Sequence, residues 1–191
     1  MPTNVLFTQW ASKPDLLHWL AAFSNRSLLL EDPTARATCF HSCTVPLLAS
    51  AMGVGLASRG LSRQPAGVLF EEPCVLLIGH DTWLTRVDLT ERSATRIRLD
   101  GVVFEFVSLD AKGCVLVHEL GALRTDGEGR PLWKVDTDVV ENHHLDPSGN
   151  LVLSIMDTET PLVLSVASGS VIRAGRDALC EDAPLETEED M

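Results

Sequence analysis

The sequence predicts an all-β protein with one short N-terminal helix, built from antiparallel four-stranded meander repeats. Three observations predict it. From Gly67 onward, short β-branched runs alternate with turn signals such as Asp110 to Gly113, Asp126 to Gly129 and Asp146 to Gly149. An apolar run ending in an acid or its equivalent recurs at residues 75–81, 113–119 and 151–157, two offsets of 38. The best helical periodicity lies in residues 15–24, far from these repeats.

The helix has Pro14 as its entry signal and places Leu16, Leu17, Trp19, Leu20 and Phe23 on one broad face. Strands are expected at 5–8, 27–31 and 37–41. The stretch 45–61 is apolar and rich in Ala and Gly, but Pro46, Gly53, Gly55 and Gly60 weaken a helix there, and its state stays open. Residues 74–80, 114–119 and 150–156 are expected to be equivalent strands. Two further registers keep the same order: residues 97–100 match 133–136, and 105–110 match 141–146, both at an offset of 36. Each copy thus holds four short strands in 36 to 40 residues, the size of a β-propeller blade.

The segment from Leu123 through Asp126, Gly127 and Gly129 to Trp133 resembles the strand-turn-strand of quinoprotein-like (PQQ-repeat) propeller blades. Residues 164–172 are a weaker copy with Ile172 in place of the Trp, and 84–97 a weaker one still, without the turn glycine. The resemblance covers about residues 67–174. It implies blades, either as a partial propeller or as blade-like sheets packed as a sandwich, and it implies no particular chemistry. Some members of that family use a quinone in a complete ring, which three blades cannot supply, and others bind partners without a cofactor. The expected organisation is one domain over 1–180, with N-terminal strands and the helix in 1–66 and three repeats in 67–174. The segment 181–191, with six acids among residues 181–190, is expected to be a disordered acidic tail.

Composition narrows function. The chain has 191 residues and a net charge of −12, from 15 Lys+Arg against 27 Asp+Glu. That leaves no cation excess for nucleic acid or for an anionic membrane surface. No apolar run is long enough for a membrane-spanning helix, and the first ten residues lack the pattern of a signal peptide. Five cysteines without framework spacing point to a reducing, cytoplasmic setting.

Candidate site residues are few. His80-Asp81 and His118-Glu119 occupy the same place in two repeats, so imidazole and carboxylate could serve as metal ligands from equivalent strand ends. The competing reading is duplicated structure, since neighbours on a strand point to opposite faces. Cys39, His41 and Cys43 would share one strand face, as would His144 and Asp146, though Asp146 can also cap its own turn. Trp83 and Trp133 could form an aromatic ligand-binding surface or fill the blade core. No nucleophile elbow, phosphate loop or dinucleotide fingerprint is present, so no catalytic residue is assigned and no cofactor is expected.

The leading expectation is a non-enzymatic binding protein whose partner is another protein, a basic one being its electrostatic complement. An accessory or toxin-neutralising role is one form of it. The alternatives are a metal-assisted hydrolase using the His, Asp and Glu of the strand ends, and a homo-oligomeric subunit that completes a propeller by self-association.

Overall fold

The computed structural model describes residues 2–31, 36–47, 50–62 and 64–173, backbone only at 108 and 109. The acidic tail expected at 181–191 lies outside the described residues. The elements run β1 (Thr3–Asn4), β2 (Thr8–Trp10), α1 (Lys13–Ala21), β3 (Ser27–Glu31), β4 (Cys39–Leu47), β5 (Ser50–Ser58) and β6 (Ala66–Phe70). Then follow β7 (Val75–His80), β8 (Trp83–Asp88), β9 (Ser93–Arg98), β10 (Val103–Asp110), β11 (Gly113–His118), β12 (Gly121–Asp126) and β13 (Pro131–Asp136). The last are β14 (Val140–Leu145), β15 (Leu151–Ile155), β16 (Leu162–Leu164) and β17 (Val171–Arg173). Among the described residues no helix is long and apolar enough to cross a membrane.

Three successive meanders are present. Strands β6 to β9 form the first, β10 to β13 the second and β14 to β17 the third, each antiparallel in chain order, with β1 added to the edge of β6. The second strands, β7, β11 and β15, coincide with the strands expected at 74–80, 114–119 and 150–156 to within one residue at each end. Two of the meander turns share one chemistry. Asp126 Oδ1 accepts the N–H groups of Glu128 and Arg130, and Asp146 Oδ1 accepts those of Ser148 and Asn150, at 2.8–2.9 Å. A glycine three residues after each Asp closes the turn, and Gly129 takes a φ of 80° that a side chain would resist. In the first meander Arg92 adopts φ 53° instead, which is why that copy reads weakly.

The amino-terminal sheet is different. Its order is β2-β4-β5-β3, and β3 pairs parallel to β5. The described residues of the undecided stretch 45–61 form no helix: they hold the end of β4 and all of β5. Strand β5 is buried on both faces, so it lacks the alternation that marks a half-exposed strand. Met52, Val54 and Leu56 face the first meander, while Gly55 faces Leu16 and Leu20 of the helix and Gly53 faces Phe23 just beyond its end. A Cβ at Gly55 would sit 2.8 Å from Leu20 Cδ1, so glycine permits the helix to lie close. Helix α1 starts earlier than expected, capped by the Ser12 side chain with Pro14 in its first turn, and ends at Ala21. The strand expected at 5–8 is split, with Val5 to Phe7 lying between β1 and β2, and the one expected at 37–41 begins at Cys39 and runs on to Leu47.

Each hydrophobic cluster joins two consecutive sheets. Leu30, Val45, Met52 and Val54 meet Leu76, Ile78 and Val87 of the first meander. On β7 the alternate residues Val75 and Leu77 instead meet Leu116 and Phe106 of the second. Val115 and Val117 in turn meet Leu151, Leu153 and Leu162 of the third. The middle strands are therefore apolar on both faces, each face serving a different neighbour.

Arginines latch the meanders together. Arg86 Nε donates to the Glu128 carbonyl at 2.6 Å, and Arg124 Nη1 donates to the Val166 carbonyl at 2.8 Å. Donors and acceptors are each 38 residues apart, so the latch belongs to the repeat. Arg124 also pairs with Asp110 at 2.9 Å, and Trp133 Nε1 shares the Val166 carbonyl at 3.0 Å.

Candidate functional site

The four histidine and acid positions singled out by the repeat do not meet. His80 is fully buried with Nε2 3.3 Å from Thr85 Oγ1. Asp81 turns the other way and accepts the backbone N–H groups of Arg59 and Leu61, both at 2.7 Å, and of Ser62 at 3.3 Å. It thereby clasps the connection entering the first meander. Glu119 stands equivalently on the next connection: its N–H donates to the Val102 carbonyl at 2.8 Å, and its Oε2 accepts from Val102 N–H at 3.4 Å. His118 is fully buried, and its Nδ1 accepts from Leu120 N–H at 3.3 Å. Burial first, and then the charge of Lys134, hold its imidazole below the usual range.

The other sequence candidates are held by packing. His41 and Cys43 are buried on β4, and neither ring nitrogen of His41 has a hydrogen-bond partner among the described residues. Burial pushes His41 down against the opposing pull of Asp81, and it pushes the Cys43 thiol up to about 12. Among the described residues no three His, Cys, Asp or Glu side chains group as a metal site. Trp83 opens β8 and Trp133 lies on β13, so they stand on different sheets, both half-buried. Trp133 packs between the second and third meanders and against Gly169.

A groove that the sequence did not reveal opens where the connections converge. Strand β10 touches β6 and β7 on one side and β14 on the other, so first strands of successive meanders are neighbours. Beside them is a groove of about 680 Å³. Leu61, Ser62 and Gln64 contribute from the connection into the first meander, and Val102 from the next connection. Val103, Phe104 and Glu105 contribute from β10, and His143 from β14.

A β-bulge builds this lining. Val103 pairs with His118 and Glu105 with Val117, which leaves Phe104 as the extra residue. A regular strand would point Phe104 and Glu105 to opposite faces. Here both are exposed while Val103 and Phe106 remain in the core. The third meander has its own bulge at the matching place, between Val140 and Asn142.

The groove's polar centre is a pair from two meanders. His143 Nε2 lies 2.9 Å from Glu105 Oε1, and the His143 ring stacks on Phe104 with 4° between planes and centroids 5.8 Å apart. The result is an aromatic platform with a carboxylate at its edge. Glu105 opens one repeat register and His143 lies inside its counterpart at 141–146, but the register does not pair the two. A one-residue slip in pairing is invisible to a period-two pattern, so nothing local marked Phe104 and Glu105 as partners. Comparison with known proteins adds no family: no protein-family model matches this chain, and no curated protein matches it.

Proposed function

We propose that the chain is a non-enzymatic protein-interaction protein whose partner presents positive charge. The observation that carries this reading is the groove between first strands, where exposed Leu61 and Phe104 flank the Glu105 carboxylate. Apolar rings beside an accessible carboxylate suit an amphipathic or basic side chain better than they suit bond-breaking chemistry. The net charge of −12 attracts such a partner at long range. The test is site-specific photo-cross-linking from position 64 in extracts of the source cell, with position 90, on a different surface, as the control. A basic protein joined at 64, absent at 90, and then shown to bind the purified chain supports the reading. Adducts that are absent or equal at both positions refute it.

A second reading, self-association, rests on a different observation. The last sheet and its neighbouring strand expose Leu132, Leu145, Val171 and Ile172, all at least 38% accessible. Light scattering on the chain and on an Ile172→Glu variant tests it: a dimer that the variant converts to monomer favours the reading, and a monomeric parent chain rejects it.

A further inference from the structure

We infer that the Phe104–Glu105–His143 platform is a guanidinium subsite, taking an arginine side chain of the partner. This deepens the interaction reading above and rests on it. Three features of the groove carry the inference.

The first is the aromatic surface. Phe104 and His143 lie nearly parallel, at 4°, and Phe104 keeps 38% of its surface accessible. A planar, weakly hydrated guanidinium stacks on such a face, whereas an ammonium keeps its water shell. The second is the carboxylate. Glu105 is 61% exposed, and among the described residues only Oε1 is engaged, by His143 Nε2. A carboxylate has about four acceptor sites, so Oε2 and the outer lone pair of Oε1 remain for N–H donors. The third is preorganisation. The bulge fixes Phe104 and Glu105 side by side, and the cross-meander pairing holds His143, only 13% exposed, in register with them. A ligand therefore meets a surface whose ordering entropy is already spent.

The Leu61 and Val102 walls would cover the aliphatic stem of the arginine, which a free guanidinium salt lacks. The Gln64 amide, on the groove wall, supplies a further oxygen for the remaining N–H groups.

The experiment uses the full chain and three capped amino acids as probes: N-acetyl-arginine amide, N-acetyl-lysine amide and N-acetyl-citrulline amide. Binding is read by NMR titration of ring and backbone resonances. The arginine probe is expected to shift the Phe104 and His143 rings saturably, and to bind at least fivefold more tightly than the lysine or citrulline probe. Glu105→Gln should weaken it at least tenfold, and Phe104→Leu, which keeps apolar volume, at least threefold. Both variants are checked for an unchanged melting transition, and Phe104→Met replaces Phe104→Leu if that variant fails to fold. Equal binding of arginine and lysine probes, shifts confined to other surfaces, or indifference to Glu105→Gln would each overturn the subsite. If the probe fails while position 64 still cross-links a basic protein, the subsite is wrong and the interaction reading stands. If the probe binds while no protein cross-links, the groove recognises a guanidinium but its assignment to a protein partner's arginine is overturned.

Discussion

The amino-terminal sheet and the three meanders are both four-stranded in plan, yet they are held together by different means. In the meanders every pairing joins strands adjacent in sequence, and the turns at Asp88, Asp110, Asp126 and Asp146 are set by a carboxylate bonding the backbone two to four residues ahead. In the amino-terminal sheet β3 pairs with β5 in parallel across an intervening strand, and a helix covers the outer face. The junctions differ too. Asp81 clasps the first one by accepting backbone N–H groups, while arginines reach across the later ones to turn carbonyls. The lesson is that local chemistry can write a repeat, whereas a cap for that repeat has to be assembled from distant pieces.

The largest expected effect lies in the cap. Leu20 is 5% exposed and packs where Gly55 leaves room. Leu20→Ala should cost about 2–5 kcal/mol in denaturant unfolding, through lost burial and a cavity. Hydrogen exchange should show the loss first in β4 and β5, and equal loosening of β14 to β17 would erase the distinction between cap and repeats.

Next come the latches. Arg124 is 6% exposed and bonds both Asp110 and the Val166 carbonyl. Arg124→Met should cost roughly 1.5–3 kcal/mol, the range for hydrogen bonds made by a charged group. Arg86→Met should cost less, because that side chain is 28% exposed and solvent screens its pairing with Asp88. Equal losses would show that burial does not separate the two junctions.

Trp133→Phe keeps the packing between the second and third meanders and removes one hydrogen bond to Val166. A loss of about 1 kcal/mol is expected, and additivity with Arg124→Met should fail because both donors share that carbonyl. A double-mutant cycle measures this directly.

The smallest effect is a pH slope. His41 and His118 sit below their ordinary value of 6.5 in the folded chain because burial disfavours the cation. The unfolded chain therefore takes up these protons first. Stability from the two neutral rings is whole above 6.5 and is lost as pH falls from there through the folded values. His41→Leu should flatten the slope just below 6.5, and an unchanged pH profile of the melting temperature would count against burial as its cause.

Much of the repeat was legible before any coordinates. The alternation and Asp-to-Gly turns of residues 67–173 located β7, β11, β15 and their neighbours because hydrogen bonds within a turn depend on residues a few positions apart. Asp146 capping its turn was readable for the same reason. The amino-terminal sheet was less so. Residues 27–31 read as strand, but β5 did not, since its two buried faces remove the period of two.

The sequence by itself determined an acidic, all-β chain with one helix and three local meanders, each set by side chains acting on their own backbone. Only the tertiary structure decided what those meanders do to one another. It gave each face of β7 and β11 its own neighbouring sheet, matched Arg86 and Arg124 to carbonyls 42 residues ahead, and used a one-residue bulge to bring Phe104 and Glu105 to His143. The physical reason is that a strand's side-chain pattern records which faces are buried, but neither against what nor in which register. Those choices are made by packing between distant segments, where the free energy is gained only once the whole stack has formed.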